Sequence, residues 1–394
     1  MLESIRTRVN NGDRLSREEG RWLLQNASLL DLAELAETVR YRLNPERRVT
    51  FVIDSNPNYT NICNIDCIFC AFYRHEGDAD TYTYTVDEMI TRFKASAKRG
   101  IRTVLLQGGV NAAIPFEYYK EMVRRTREEV PEIHPHFFST SEIIGMSDVS
   151  GFSIPEVLRQ LKEVGLNSIP GGGAEILSDR VKKKISNKKG TSADWLGVMR
   201  EAHKLGYKTT ATMMYGHLEK DEDIIEHLSV IRDLQDEYHG FTAYIPWSFK
   251  PGNTPLEKII PTYATGTRYL QMIAIARIFL DNFPHIQASW FSEGKKIGQI
   301  ALSFGADDFG GVLEEENVHA SANFVHTTSV KETVDLIRSA GYTPAERTTL
   351  YDIIAEYGPE EYPAAVLNSA RLSVHTDAGA IMHSLPIIQA AVLA

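Results

Sequence analysis

The chain has 394 residues, 42 basic and 52 acidic side chains, and a formal net charge of −10. This acidic balance argues against nucleic acid as a partner, because duplex binding uses a clustered basic face. No apolar run is long enough for a membrane span, and the N-terminus lacks the apolar core of a signal peptide, so we expect a cytoplasmic protein with no membrane partner.

Residues 1–44 are predicted to form a helical N-terminal extension. Ser16 and Glu19 make a capping-box pattern, and leucines follow at helical spacing. From residue 45 onward, short apolar runs alternate with longer amphipathic stretches. These runs are rich in β-branched and aromatic residues, and they are predicted strands at 49–54, 101–107, 134–139, 166–170, 207–213, 241–246, 285–291 and, more weakly, 305–309.

The stretches between these runs carry helix-start signals, with further capping-box patterns at Thr85–Glu88 and Ser153–Glu156. Seven or eight strand–helix units imply a parallel sheet, and their number fits an α/β fold of the closed (β/α)8 TIM type over residues 45–311. Residues 312–394 are predicted to be a mainly helical C-terminal extension packed on the barrel. In such a barrel the chemistry lies in the loops after the C-terminal ends of the strands.

The three cysteines of the chain, Cys63, Cys67 and Cys70, lie in the loop after the first predicted strand. Their C-x₃-C-x₂-C spacing can supply three thiolates to a [4Fe–4S] cluster and leave the fourth iron open to another ligand. A zinc site would need a distant fourth ligand, and a redox disulfide between Cys67 and Cys70 would leave Cys63 without a role. The absence of a fourth cysteine therefore favours a catalytic cluster over an electron carrier.

With Phe69 directly before the last cysteine, this motif resembles the signature of the radical S-adenosylmethionine superfamily. The resemblance extends over nearly the whole chain, and within that superfamily it is to the futalosine-pathway enzymes of menaquinone biosynthesis, more to their cyclases than to their aminofutalosine synthases. The stretches that carry it are CAFYR (70–74), QGGVN (107–111), SIPGGGAEIL (168–177), ATMMYGHLE (211–219) and FTAYIPWSFKPGNTPL (241–256). It implies two cofactors, a [4Fe–4S] cluster and S-adenosyl-L-methionine, and a small-molecule substrate, dehypoxanthine futalosine.

The resemblance also implies a reaction. A 5′-deoxyadenosyl radical takes a hydrogen atom from the ribose C4′ of the substrate, and the carbon radical adds to the benzoate ring. Loss of one electron and one proton then restores aromaticity. A reductase such as flavodoxin or ferredoxin is the expected electron donor. The alternatives are an aminofutalosine synthase, in which the adenosyl radical adds to an enolpyruvyl benzoate and stays in the product, and a zinc-dependent barrel hydrolase.

The resemblance assigns cofactor-binding residues by their numbers in this chain. Gly108 and Gly109 match a Gly-Gly motif where bare backbone can approach the methionine amino group, although the usual acidic residue after them is Val110 here. Glu175 is predicted to accept hydrogen bonds from the ribose hydroxyls, with a solvated glutamate at a helix start as the alternative. The iron ligands are Cys63, Cys67 and Cys70, and the residues around S-adenosyl-L-methionine are Phe69, Phe72, Gln107, Gly108, Gly109 and Glu175.

Substrate-binding and proton-transfer residues are predicted at the same rim. Arg74 can form a bidentate pair with a substrate carboxylate, with a surface ion pair as the alternative. The predicted substrate contacts are Arg74, Tyr215, His217 and Trp247, and the predicted bases for the last proton are His217, Glu175 and Tyr73, in that order. His134 and His136 form an H-x-H pair that a metal hydrolase could use, but their place on the third strand favours hydrogen-bonded or substrate-contacting histidines.

Overall fold

A computed structural model describes residues 1–364, and its centre is a closed ring of parallel strands. The strands are β1 (Arg48–Val52), β2 (Asp54–Ser55), β3 (Thr103–Leu106), β4 (His134–Phe137), β5 (Ser168–Ile169), β6 (Lys208–Tyr215), β7 (Phe241–Ser248), β8 (His285–Ile286), β9 (Asp308–Gly311), β10 (Thr343–Arg347) and β11 (Ile353–Glu356). Strands β2 to β8 are neighbours in chain order, and all their pairings are parallel. Strand β9 pairs in parallel with β1, and a bridge from Gln287 to Asp308 joins it to the end of β8. The predicted (β/α)8 barrel is confirmed, with β1 and β2 together forming its first strand.

Helices cover the outside of this ring. They are α1 (Leu2–Asn11), α2 (Arg17–Asn26), α3 (Leu29–Leu43), α4 (Val86–Lys98), α5 (Phe116–Glu129), α6 (Thr140–Ser150), α7 (Ile154–Glu163), α8 (Asp179–Ile185), α9 (Ser192–Lys204), α10 (Asp221–Tyr238), α11 (Gly266–Phe279), α12 (Trp290–Glu293), α13 (Lys295–Ala301), α14 (Asn317–Ser321) and α15 (Val330–Ser339). Short 3₁₀ turns lie at Asn187–Lys189, Pro255–Lys258 and Leu302–Phe304. Within residues 1–364, none of the helices has both the length and the apolar character that a membrane crossing requires.

The N-terminal helices pack against the barrel. Helix α3 lies along α11, and α2 contacts both α10 and α11. Arg40 of α3 is fully buried, and its guanidinium donates to the carbonyls of Ala306 at 3.2 Å and Arg48 at 3.1 Å. These bonds tie α3 to the chain at the N-terminal ends of β9 and β1, so the helical region closes the end of the barrel opposite the predicted catalytic rim.

The predicted capping boxes are present at two of three positions. Ser16 accepts a hydrogen bond from the Glu19 N–H, and the Glu19 carboxylate accepts one from the Ser16 N–H at 2.8 Å. Thr85 and Glu88 make the same pair of bonds. The third prediction is wrong, because Ser153 makes no side-chain cap bond and the Glu156 carboxylate is bound by neighbouring side chains of its own helix, those of Arg159 and Gln160.

We expect Ser16→Ala to lower the free energy of unfolding by about 1 kcal/mol, since a first-turn N–H of α2 loses its acceptor. The matched control is Ser153→Ala at the start of α7, where no such bond exists, and its effect should stay within about 0.5 kcal/mol. Chemical denaturation of both variants measures the difference. Equal destabilisation by the two substitutions would contradict the assignment of the Ser16 cap.

The segment after the barrel contains strands as well as the predicted helices. Strand β10 pairs in parallel with β1, with Arg48 opposite Thr343 and Phe51 opposite Glu346, and β11 returns antiparallel to β10. One edge of β1 pairs with β9, and the other pairs with β10. Only the following segment, β2, pairs with β3. Strand β10 therefore lies between β1 and β3 at the N-terminal end of the barrel. The C-terminal segment therefore closes the floor of the barrel rather than only packing on its outside. Residues 365–394, the rest of the predicted extension, lie outside the described residues.

Candidate active site

A cavity of about 340 Å³ lies inside the barrel. Its floor, toward the N-terminal ends of the strands, contains polar side chains of Asp54, Thr103, His136, Arg347, Thr349 and Tyr351. Its upper wall contains seven residues that the sequence predicted as cofactor, iron or substrate contacts. These are Phe69, Cys70, Phe72, Gln107, Gly108, Glu175 and Trp247. The structure thus brings half of the predicted site residues to one cavity.

The cysteine loop crosses the upper rim of this cavity. Cys67 is buried, and Cys63 and Cys70 are half-buried. The Cys70 N–H donates to the Cys67 carbonyl at 3.1 Å, which turns the loop between the last two cysteines. The Ile68 N–H donates to the Ile185 carbonyl at 3.0 Å, so the loop is anchored to the end of α8. The backbone therefore holds all three sulfurs at one side of the rim.

The surroundings of the thiols fit an iron–sulfur cluster. Burial raises the pKa of Cys67 to about 12 and also raises that of Cys70. A bound metal would displace the protons of these thiols, because a coordinating thiol is deprotonated. The Val110 N–H donates to the Cys63 sulfur at 3.3 Å, a type of bond that stabilises ligated thiolates. In the described part of the chain, no three His, Cys, Asp or Glu side chains gather as ligands of one metal ion. A four-iron cluster does not require this, because each thiolate binds a different iron.

A half-buried lysine that the sequence analysis missed lies beside this loop. Lys189 donates to the Glu175 carboxylate at 2.6 Å, and its ammonium lies 5.3 Å from the centre of the Phe69 ring. Its charge acts to lower the pKa of both Cys67 and Cys70, against the larger effect of burial. The residue belongs to the basic stretch 180–189, which resembles an ordinary solvated surface, so no sequence signal marks it. An ammonium at this place offsets the negative charge of three thiolates.

Glu175 is buried at the upper wall, and the alternative of a solvated helix-start glutamate is wrong. Burial alone would raise its pKa, but Lys189 and Lys182 outweigh burial and hold the pKa below its usual value. One carboxylate oxygen accepts from Lys189, and the other has no hydrogen-bond partner among the described residues. A buried carboxylate oxygen without a donor is what a ligand hydroxyl would satisfy.

Position 109 needs a glycine because the cysteine loop passes directly against its backbone. A Cβ atom there would lie 2.1 Å from the Ile62 carbonyl oxygen and 3.0 Å from the Cys63 Cβ.

The Gly108 N–H donates to Glu142, whose other partners are the Tyr59 hydroxyl and Ser139. Glu142 is a site residue that sequence reasoning missed, although its capping-box spacing from Ser139 is a signal that could have found it. Burial raises the pKa of Glu142 to about 7.

Two predicted substrate contacts at the end of β6 and just after it do not line the cavity. The His217 ring is buried, with Nε2 at 2.9 Å from the Met214 carbonyl and Nδ1 at 3.4 Å from Glu219. The Tyr215 hydroxyl donates to Glu293 at 3.2 Å. Neither residue lines the cavity. Their side chains hold the loop together, because the strand turns them to the far side of the rim.

Arg74 and Tyr73 are also placed away from the cavity wall. Arg74 donates from Nε to both oxygens of Asp80 at 2.8 Å and from Nη1 to three carbonyls of residues 71–73. Arg74 is therefore used in an ion pair that stabilises the cysteine loop, which was the alternative to the predicted pair with a substrate carboxylate. The Tyr73 ring packs edge-on against the His75 ring at 5.4 Å.

His134 and His136 share one hydroxyl in the barrel interior. Nε2 of His134 and Nδ1 of His136 each lie 2.8 Å from the Ser168 Oγ. Burial lowers the pKa of His134 to about 4 and that of His136 to about 3, so both rings are neutral. These are hydrogen-bonded histidines, as the sequence analysis favoured, and His136 also lines the cavity floor.

An aromatic face closes the cavity opposite the glycine loop. The Trp247 ring lies 5.6 Å from the ring of His319, and the Phe291 ring stacks on that of His319 at 5.3 Å. All three residues line the cavity. His319 and Phe291 were missed by sequence reasoning because they lie in the short helices α14 and α12, which carry no recognisable motif. Such a face can pack on an aromatic ring of a ligand.

Two family models match the chain, the radical SAM superfamily over residues 57–231 and the CofH/MqnC C-terminal region over residues 238–358. Cyclic dehypoxanthine futalosine synthase of Halalkalibacterium halodurans is 39% identical over 91% of this chain and 97% of its own length. The 5-amino-6-(D-ribitylamino)uracil–L-tyrosine 4-hydroxyphenyl transferase of Methanopyrus kandleri is 39% identical over 78% of this chain and 85% of its own. Aminodeoxyfutalosine synthase of Thermus thermophilus is 37% identical over 89% of this chain and 95% of its own. Among solved structures, methylornithine synthase has a similar fold, with a TM-score of 0.67, 20% identity, and coverage of 86% of this chain and 97% of its own.

Proposed function

The chain belongs to the radical SAM superfamily, in the group with a CofH/MqnC C-terminal region, and we propose that it cyclises dehypoxanthine futalosine in menaquinone biosynthesis. The observation that carries this proposal is the similarity to cyclic dehypoxanthine futalosine synthase along 97% of that relative. The enzyme joins two carbon atoms of one substrate molecule. Such a reaction needs an enclosed cavity that holds a nucleoside-like and an aromatic part together, and the barrel interior has these properties.

The residues of the upper wall fit both cofactors of this family. Cys63, Cys67 and Cys70 would hold three irons, and the unpartnered oxygen of Glu175 would receive the ribose hydroxyls of S-adenosyl-L-methionine. Phe69, Phe72, Gln107 and Gly108 would border that molecule. When bound, the cluster and S-adenosyl-L-methionine supply a 5′-deoxyadenosyl radical. The chain itself orients the substrate and excludes water from the barrel, and Trp247 and Phe291 pack on the aromatic ring of the substrate.

The proposal includes an external one-electron donor of the flavodoxin or ferredoxin type, and it places the reaction in the cytoplasm, where such donors occur. The position of the cysteine loop at the upper rim of the barrel supports this, and Cys63, which is half-buried, does not line the substrate cavity. A donor that docks on the cysteine loop could therefore reach the cluster without entering the substrate cavity.

The test uses the anaerobically reconstituted protein with dithionite, S-adenosyl-L-methionine and dehypoxanthine futalosine. We expect the cyclic product and free 5′-deoxyadenosine in equal amounts, because the deoxyadenosyl group takes a hydrogen atom and leaves. Mass spectrometry of the mixture measures both. A product that retains the adenosyl group, formed from an enolpyruvyl benzoate, would instead identify an aminofutalosine synthase.

A further inference from the structure

Asp54 lies on the first strand of the barrel and lines the cavity at its floor. It is 7% exposed, and Oδ1 accepts a hydrogen bond from the Leu313 N–H at 2.8 Å. No donor among the described residues bonds Oδ2. A Cβ atom on Gly311 would lie 2.1 Å from Oδ2, so the bare backbone of Gly311 makes room for this carboxylate. Asp54 therefore offers the cavity a free acceptor oxygen.

The other carboxylates of the cavity wall are already engaged. Glu175 is paired with Lys189 at 2.6 Å. Glu316 uses both oxygens at the start of α14, where they accept the N–H groups of Val318 at 3.2 Å and His319 at 2.8 Å. The free oxygen of Glu175 is assigned to the ribose hydroxyls, and Lys189 and Lys182 hold the pKa of Glu175 below its usual value, which makes it a weaker base. Asp54 has a free oxygen without such lysine partners.

The histidines of the wall are weaker acceptors. His136 is bound to Ser168 at 2.8 Å through Nδ1. His319 has no hydrogen-bond partner for its ring among the described residues, but burial lowers its pKa to about 3. A group with so low a pKa is a poor base near neutral pH.

Charged groups on neighbouring strands leave Asp54 without a dedicated cation. Arg347, from β10, reaches the same floor, but its Nε and Nη2 are bound to Asp308, the latter at 3.1 Å. Burial raises the pKa of Asp54 to about 6 and Asp308 adds to this, while the Leu313 N–H and Arg347 act in the opposite direction. Such a carboxylate is ionised at pH 7 and is a stronger base than a solvent-exposed aspartate.

We propose that Asp54 accepts the proton that leaves the aryl ring of the substrate in the last step of the cyclisation. This inference rests on the proposed function. The new bond joins the ribose C4′ to an aryl carbon, which at first keeps its hydrogen. That C–H bond then breaks, its proton goes to Oδ2 of Asp54, and its electron pair stays in the ring. The one surplus electron would leave to a one-electron acceptor, the oxidised iron–sulfur cluster that Cys63, Cys67 and Cys70 would hold.

The test compares Asp54→Asn with the wild-type protein, both reconstituted with the cluster. The asparagine carbonyl can still accept from the Leu313 N–H, but the side chain no longer binds a proton. We expect 5′-deoxyadenosine to form at a similar rate and the product formed per 5′-deoxyadenosine to fall about 100-fold, the lower range for loss of a general base. The control, Glu46→Gln, removes a carboxylate that is 61% exposed just before β1 and does not line the cavity, and it should keep the wild-type ratio.

The outcomes separate the two proposals. If the wild-type protein cyclises the substrate and Asp54→Asn keeps its ratio of product to 5′-deoxyadenosine, the role of Asp54 is overturned and the function stands. If the wild-type protein forms no cyclic product, the function itself fails. If Asp54→Asn does not fold, the wild-type ratio is followed against pH. It should fall as the pH decreases through about 6, and a flat ratio would overturn the role of Asp54.

Discussion

Cys67→Ala is expected to abolish the formation of both 5′-deoxyadenosine and product. Cys67 is the buried member of the three cysteines, and the described chain offers no further thiol that could replace it. Two thiolates hold only two of the four irons, which is too few to retain the cluster, so we expect it not to assemble. Iron and sulfide analysis after anaerobic reconstitution, together with the electron paramagnetic resonance spectrum of the reduced protein, measures the loss.

The matched control is Asp66→Asn on the same loop. Asp66 has a φ of 47°, a conformation that asparagine also adopts, and its carboxylate is bound by Lys188 at 2.8 Å. This variant keeps the loop geometry and all three thiols, so its iron content and its yield of 5′-deoxyadenosine should match the wild-type values. An active, iron-free Cys67→Ala protein would refute the cluster and with it the radical mechanism.

Glu175→Gln should lower the free energy of unfolding by about 3 to 5 kcal/mol, the usual cost of removing one partner of a buried ion pair. The Lys182 side chain is 1% exposed and that of Lys189 is 14% exposed, and both lose their counter-charge in this variant. The variant should also bind S-adenosyl-L-methionine more weakly, because an amide oxygen is a poorer acceptor for the ribose hydroxyls. Urea denaturation and equilibrium dialysis measure the two effects.

The double variant Glu175→Gln/Lys189→Met serves as the control for stability. It removes one of the two uncompensated cations, so it should be more stable than Glu175→Gln. If it is less stable, the two side chains do not act as a pair and the charge argument is wrong.

The pH dependence of stability gives an independent check of the same pair. The folded-state pKa of Glu175 is depressed, so its stabilising effect is present above the usual carboxyl pKa and is lost as the pH falls through the folded value. This component should be absent from Glu175→Gln. An unchanged dependence in the variant would show that Glu175 is not the group that titrates.

Local signals in the sequence predicted most of what lies close together along the chain. The spacing of Cys63, Cys67 and Cys70 within one loop sets which ligands a cluster can have, whatever the rest of the fold does. The alternation of strands and helices predicted the barrel, because each strand–helix unit buries its apolar face against the next. A strand–helix unit also predicts at which end of the barrel its loop lies. Glu175, from the loop after β5, and Trp247, near the end of β7, line the cavity at that end.

Side-chain direction at the rim was not predictable in the same way. Tyr215 ends β6 and His217 follows it at the expected end of the barrel, yet their side chains do not line the cavity and instead bond to Glu293 and Met214. Arg74 lies beside the last cysteine but is used by Asp80 and the loop backbone. A loop position does not determine rotamer or partner, since these depend on groups that are distant in the sequence.

By itself, the sequence determined the barrel, the three-cysteine motif and the class of chemistry, because these depend on periodicity and spacing within short stretches. Only the tertiary structure decided which charged groups are buried together. Lys189 belongs to a basic stretch that resembles solvated surface, and Asp54 lies in an unremarkable strand, yet one sits beside the cysteines and the other in the cavity wall. Strand β10 likewise brings Arg347 to the cavity floor from far along the chain. Burial and pairing of charge arise from contacts between distant segments, and it is these contacts that set the ionisation of the groups in the site.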